Sequence, residues 1–329
     1  MILSDSNVFS LYSASFAAIL RKMGCVVEEI SFSAGEAYKT RETKAQIEDA
    51  LLERNFGKKS CLIALGGGMT LDLVGFVAAT YARGIPFVSF PTSLLAMVDA
   101  CIGGKTGVNT SYGKNLIGAF YLPSWIGIDP NFLRTLPAEE WKNGWVEMIK
   151  IAAVLSLDFF VKLEHMRLPI QDLQGMKPMI AESCGLKQSV VAEDLYDRGK
   201  RELLNFGHTV GHALETLFSY QVSHGRAVAV GMLLEGYIAL QKKSLPISSW
   251  ERLYALLLRY EIDLTLPRLP SAEELFFAMR LDKKNHHQNV PKCIYLRELG
   301  EPVHRSNEYS FPISLSELAE ALVFYRKIL

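Results

Sequence analysis

SCLIALGGGMTLDLVGFVAATYARGIPFVSF, residues 60–90, decides the fold. The apolar run Ser60–Leu65 is short and ends in Gly66, Gly67 and Gly68, which marks a buried strand entering a tight turn. From Leu71 to Ala82 the apolar residues return at helical spacing, and Ile85–Phe90 reads as a second buried strand. Strand, glycine turn, helix, strand is the order of a parallel α/β sheet. Toward the N-terminus the same alternation predicts a helix over Ser13–Met23, a strand over Cys25–Phe32 and a charged amphipathic helix over Glu42–Arg54. Beyond Pro137 the pattern changes. Helices are predicted over Glu139–Glu164, Ile170–Ala192, Leu203–Tyr220, Arg226–Lys243, Trp250–Tyr260, Ala272–Leu281 and Ser314–Ile328, with Cys293–Glu298 as a late strand or hairpin. The expected architecture is an α/β domain over 1–136 followed by a mostly α-helical domain over 137–329.

Composition bounds the function. At 329 residues the chain exceeds the roughly 250–300 at which single cores stop growing, which fits two domains. Hydrophobic residues make up 49% and charged residues 21%, which excludes a chain disordered throughout. Lys+Arg and Asp+Glu both number 35, so no bulk field draws in nucleic acid or an anionic membrane surface. The 5 cysteines are odd in number and form no CxxC pair, a usage suited to a reducing cytoplasm. The start MILSDSNVFS lacks a signal-peptide pattern, and no apolar run reaches the roughly 18–20 residues that span a bilayer.

Several segments carry candidate chemistry. The glycine turn 66–68 opens a helix, so backbone amides can approach a phosphate; Leu71 rules out the GxGxxG fingerprint. PTSLLAMVDACIGGKTGVN, 91–109, and the following Gly113, Lys114 and Asn115 read as a polar glycine-rich loop whose lysines suit a phosphate or carboxylate. In RELLNFGHTVGHALE, 201–215, His208 and His212 stand i, i+4 and share a helix face with Glu215. Three of the 7 histidines fall within 208–224, which points to a metal or anion site without saying which of them bind. In NGWVEMIK, 143–150, Glu147 sits in an apolar stretch with Lys150 three residues on: a surface ion pair, or a buried carboxylate wanting a cation. LDKKNHHQ, 281–288, and AGEAYK, 34–39, read alone as a loop and a turn.

In order along the chain, SDSNV, GEAYK, GGGMTLDLVGFVAATYARG, PTSLLAMVDACIGGKTGVN, YGKN, GWVEMIK, LLNFGHTVGHALE, SHGRAVAVGM and DKKN together resemble the 3-dehydroquinate synthase family. The resemblance runs from about Ser4 to about Leu299. It implies one NAD, one divalent metal (zinc, or another such as cobalt), a cleft site between two domains, and a homodimer. The implied substrate is a small phosphorylated keto acid, 3-deoxy-D-arabino-heptulosonate 7-phosphate. The implied course is transient oxidation, β-elimination of phosphate, hydride return and intramolecular aldol closure to 3-dehydroquinate.

Carried over by position, the resemblance implies Glu147, His208 and His224 as metal ligands. Asp5, Glu36, Lys39, Gly67, Gly68, Asp72, Thr92, Ser93 and Lys114 fall at cofactor positions. Asp99, Lys105, Asn115, Lys150, Lys187, Arg201, Asn205, His212 and Lys283 of the Lys283/Lys284 pair fall at substrate positions, and Arg83 matches an arginine that reaches the phosphate from the neighbouring subunit. The sequence departs from the family in starting a few residues before SDSNV, so a sheet without its opening strands and with an exposed edge is expected. Competing readings are another sugar-phosphate cyclase, a polyol or glycerol-phosphate dehydrogenase, and a metal-binding relative without activity.

Overall fold

A computed structural model describes residues 1–168, 173–280 and 290–329. The chain divides into two compact units, Met1–Pro137 and Ala138–Leu329.

The first unit is built on a parallel sheet. In chain order its elements are β1 (Ile2–Asp5), a one-turn helix α1 (Ser6–Val8), a π-helical turn (Phe9–Ser13), α2 (Ala14–Lys22), β2 (Glu29–Phe32), α3 (Arg41–Glu53), β3 (Leu62–Gly66), α4 (Gly68–Thr80), β4 (Phe87–Pro91), a hairpin of β5 (Lys105–Thr110) and β6 (Gly113–Phe120), and β7 (Trp125–Ile126). The sheet order is β2-β1-β3-β4-β7, all pairs parallel. β1 therefore lies inside the sheet, between β2 and β3, and the edge strands are β2 and β7. Residues 25–28 run up to β2 as irregular chain, so the predicted strand is shorter than its apolar run. Leu71, Leu73, Val74 and Val77 of α4 pack with Leu62, Ala64 and Phe87 of the sheet. Burial of such side chains contributes about 1.5–3 kcal/mol each. The 91–115 stretch is not one loop. It holds a π-helical turn, Ala96–Ala100, and then enters the antiparallel hairpin β5–β6. Gly75 lets this hairpin close on α4, because a Cβ there would lie 2.5 Å from Thr106.

The second unit is mostly helical. It contains α5 (Ala138–Leu155), α6 (Leu157–His165), α7 (Met176–Glu193), α8 (His208–Leu217), α9 (His224–Gln241), α10 (Ile247–Arg259), α11 (Ala272–Arg280) and α12 (Leu315–Ile328). Short pairs β8 (Lys292–Cys293) with β11 (Phe311–Pro312), and β9 (Leu296–Glu298) with β10 (Glu301–Pro302), add two small antiparallel sheets. Two predicted helices are corrected. The long helix over 139–164 is broken at Ser156, whose side chain caps α6 through the Phe159 amide. The helix expected from Leu203 starts only at His208, after a 3₁₀ turn over Lys200–Asn205 and Gly207 at φ 77°. No helix among the described residues is long and apolar enough to cross a membrane.

Candidate active site

α5 places Glu147 and Lys150 one turn apart, and both are buried, at 1% and 2% exposed. Lys150 Nζ donates to Glu147 Oε2 at 2.6 Å. The other oxygen, Oε1, lies 3.5 Å from His208 Nε2 and 3.3 Å from His224 Nε2. The carboxylate thus has two sides, one taken by an ammonium and one shared by two imidazoles.

The histidines reach this point from the first residues of α8 and α9. Gly207 makes the entry to α8 possible. Its backbone is left-handed, and a Cβ would lie 2.5 Å from Met232 Cγ and 2.6 Å from the Val228 carbonyl. Gly231 lets the two helices touch, since its Cβ would meet the Gly207 carbonyl at 2.0 Å. The Gly207 amide donates to Glu235 Oε2, 3.0 Å, and the Gly225 amide donates to Asn143 Oδ1, 2.8 Å. Each histidine is therefore anchored by its neighbour's backbone.

Both rings are also oriented. His208 Nδ1 faces the Phe206 carbonyl at 3.2 Å, and His224 Nδ1 faces Glu215 Oε2 at 3.4 Å. With Nδ1 engaged by oxygen, Nε2 is the ring atom each histidine turns toward Glu147 Oε1. The ligand atoms of Glu147, His208 and His224 lie within 4.8 Å of one another, a donor set that fits a divalent metal with positions left open. His212, Glu215 and His224 form a second such group, but it would draw on the His224 nitrogen that faces Glu215. The i, i+4 pair His208 and His212 meets edge to face at 5.3 Å and, among the described residues, falls in no common ligand group.

The electrostatics follow. Burial raises the Glu147 carboxyl, but Lys150 and then His224 overcome it and hold the group at about 2. Burial lowers the His224 ring, but its hydrogen bonds to Glu147 and Glu215 push it up to about 10. A metal at this position would replace that ring proton. Lys187 on α7 and Arg201 at the turn before α8 are also buried, at 5% and 3% exposed. Arg201 donates to the Leu195 carbonyl at 2.7 Å, and its amide donates to Asp194. Asn205 ends that 3₁₀ turn and His212 lies one turn into α8, both half-buried. Lys283 and Lys284 lie outside the described residues.

In the first unit, the sheet order reverses between β1 and β3. In open parallel sheets, ligands bind at the carboxyl ends of strands at such a switch point. Asp5 ends β1 and Gly66 ends β3. Asp5 Oδ1 caps α1, and Oδ2 accepts from Thr70 Oγ1 at 3.0 Å, so the carboxylate fixes the turn. α4 starts at Gly68 with Gly67 as a cap that brings no side-chain acceptor, so the first-turn amides suit an anion. A Cβ at Gly67 would stand 3.5 Å from Ser93 Oγ and fill this cradle. Thr92 is buried and its amide holds the Gly66 carbonyl at 2.9 Å. Leu71 turns into the core and away from the cradle.

Beside it, buried Lys39 Nζ donates to Asp72 Oδ2 at 2.5 Å and to Asn115 Oδ1 at 2.6 Å. Asn109, which sequence reasoning passed over, joins Glu36 to the Asn115 amide. A cavity of about 760 Å³ opens between β2 and the start of α3, lined by Ser6, Ser33, Tyr38, Thr40 and Gln46 among others. Lys114 is half-buried on β6, Asp99 half-buried on the π-helical turn, and Lys105 exposed at the start of β5. Arg83 is exposed on a turn where Ala82 and Arg83 take φ 49° and 67°. Two consecutive left-handed non-glycine residues cost energy, as at sites held for function.

Comparison with known proteins gives a consistent result. Residues 29–143 match the family model described as 3-dehydroquinate synthase N-terminal, and 144–285 match 3-dehydroquinate synthase C-terminal. A 3-dehydroquinate synthase of Latilactobacillus sakei is 40% identical over 301 residues, covering 92% of this chain and 83% of that one. A 2-deoxy-scyllo-inosose synthase solved with carbaglucose-6-phosphate, NAD+ and Co2+ superposes with a TM-score of 0.88 at 26% identity, covering 98% of this chain and 89% of that one. A 2-epi-5-epi-valiolone synthase of Streptomyces hygroscopicus with NAD+ and Zn2+ gives 0.88 at 27% identity, covering 100% and 91%. Both units of the fold, the donor set on α5, α8 and α9, and sequence identity across most of the chain agree: the protein belongs to the 3-dehydroquinate synthase family.

Proposed function

We propose that the protein is a 3-dehydroquinate synthase, a lyase that converts 3-deoxy-D-arabino-heptulosonate 7-phosphate to 3-dehydroquinate and phosphate. The observation that carries the reading is the convergence of Glu147 Oε1 with the two Nε2 atoms of His208 and His224, beside a lysine that keeps the carboxylate charged. Membership of the family supports the substrate.

In this reading residues 1–136 serve the cofactor, and 137–329 serve metal and substrate. When bound, NAD would take up and return a hydride, and the divalent metal would polarise the hydroxyl being oxidised. Glu147, His208 and His224 hold the metal, and the Phe206 carbonyl and Glu215 keep the two Nδ1 protons in place. Gly67, Gly68, Thr92 and Ser93 would hold the cofactor at the α4 N-terminus, whose amides suit an anionic group, with Asp5 fixing the turn. Glu36, Lys39, Asp72 and Lys114 complete the cofactor side.

Lys187 and Arg201 are buried cations that suit a substrate carrying both a carboxylate and a phosphate. Asp99, Lys105, Asn115, Lys150, Asn205, His212 and Lys283 orient its remaining oxygens. Arg83, strained and solvent-facing, meets the phosphate of a second subunit in a homodimer. Such an enzyme works in the cytoplasm.

The test is phosphate release by the purified chain with NAD and zinc from two substrates, 3-deoxy-D-arabino-heptulosonate 7-phosphate and glucose 6-phosphate. Release from the acid alone is expected. Release from the glucose ester alone would replace this reading with another cyclase.

A further inference from the structure

Asn109, on β5, makes four hydrogen bonds to three residues of the first unit. Its Nδ2 donates to Glu36 Oε1 at 2.8 Å and to the Glu36 carbonyl at 3.3 Å. Its Oδ1 accepts from the Asn115 amide at 3.0 Å. Its own amide donates to the Lys39 carbonyl at 2.7 Å. A backbone amide can only donate, so the orientation of the Asn109 side chain is fixed: oxygen toward Asn115, nitrogen toward Glu36.

Asn115 sits at φ 53°, in the left-handed region, where a non-glycine residue needs local support. Held there, it presents Oδ1 to buried Lys39, which also pairs with Asp72. One asparagine therefore ties the 36–39 segment to the hairpin. We infer that Asn109 is a positioning residue that couples the cofactor-side group Glu36 and Lys39 to Asn115, by holding the Asn115 backbone in its left-handed conformation and the Glu36 carboxylate in place. The inference rests on the cofactor reading given above.

The two ends of the clasp are separable. Asn109→Asp keeps an oxygen for the Asn115 amide but sets a second carboxylate against Glu36. Asn109→Ala removes both ends and leaves the Lys39 contact, which is backbone to backbone. Pairing Asn109→Asp with Glu36→Gln restores the hydrogen bond with donor and acceptor exchanged. The experiment measures NAD dissociation constants on the full-length chain by calorimetry, and Asn115 amide exchange by NMR.

Asn109→Ala is expected to weaken NAD about tenfold, the loss of one to two well-formed hydrogen bonds, and to speed Asn115 exchange about tenfold. Asn109→Asp is expected to weaken NAD by a similar factor with Asn115 exchange unchanged. Adding Glu36→Gln is expected to recover at least about fivefold over Asn109→Asp alone, which a generally loosened fold would not show. Unchanged Asn115 exchange in Asn109→Ala, or no recovery in the paired variant, would overturn the coupling while NAD binding by the parent chain leaves the cofactor reading standing. A parent chain that binds no NAD would overturn the cofactor reading and the coupling with it.

Discussion

Replacing Lys150 by methionine tests the two-sided carboxylate at the centre of the second unit. Glu147 and Lys150 are 1% and 2% exposed and 2.6 Å apart. Removing one partner of a buried pair leaves an uncompensated charge, at a cost of about 3–5 kcal/mol. The loss should fall near the lower end, because His224 Nε2 lies 3.3 Å from the other oxygen and its ring, pushed up to about 10, can stay protonated. About 3 kcal/mol corresponds to roughly 6–12 °C in Tm for a unit of this size.

The informative step is adding zinc. At a zinc concentration a hundred times the parent's Kd the metal stabilises the parent by about 2.7 kcal/mol. In Lys150→Met it gains a further ~1–2 kcal/mol, because the ammonium across the carboxylate no longer opposes a cation. Thermal unfolding with chelator and then with excess zinc should therefore show the gap between variant and parent shrinking to about half. A gap that stays the same with and without zinc would refute the reasoning, as would a chelated variant as stable as the parent.

Three further outcomes are expected. Glu215→Ala should lower zinc affinity about 10–100-fold in a chelator competition, since His224 loses the acceptor that orients its ring; unchanged affinity would remove Glu215 from the site. Burial of Glu235 raises its carboxyl from 4.5 to about 8, so its contribution to stability is full below about pH 4.5 and is lost as pH rises to 8. Relative to Glu235→Gln, the parent should thus lose about 1.4 kcal/mol per pH unit across that window in urea unfolding, and a flat difference would contradict the assignment. Gly231→Ala, whose Cβ would lie 2.0 Å from the Gly207 carbonyl, should cost at least about 2 kcal/mol and weaken zinc binding together; a variant as stable as the parent would mean α8 and α9 have room to part.

The strand–glycine–helix–strand unit at 60–90 was legible because buried strands and helices carry distinct periods, and β3, α4 and β4 form where those periods change. The hairpin at 105–120 was not. Its glycines, lysines and asparagines show no alternation, and it is held by close backbone approach, with a Cβ at Gly118 only 1.9 Å from the Thr106 carbonyl. The break at Ser156 hid inside an apolar run, because one capping hydroxyl ends a helix without disturbing its hydrophobic spacing.

In the site, spacing alone brings out His208 and His212, because they share a helix. The partner that the structure sets beside His208 is His224, on another helix, and glycines at 207 and 231 bring the two together. Asn109 was invisible for a similar reason: two of its three partners, Glu36 and Lys39, are distant in sequence.

The central claim is an overall redox-neutral reaction. The most direct measurement follows phosphate and the 340 nm absorbance of NADH together while the chain acts on 3-deoxy-D-arabino-heptulosonate 7-phosphate with zinc and limiting NAD. Many phosphates released per NAD, with no accumulating NADH and with release abolished by a chelator, is the predicted result. NADH rising in step with substrate consumed, or phosphate release indifferent to the chelator, would contradict the account.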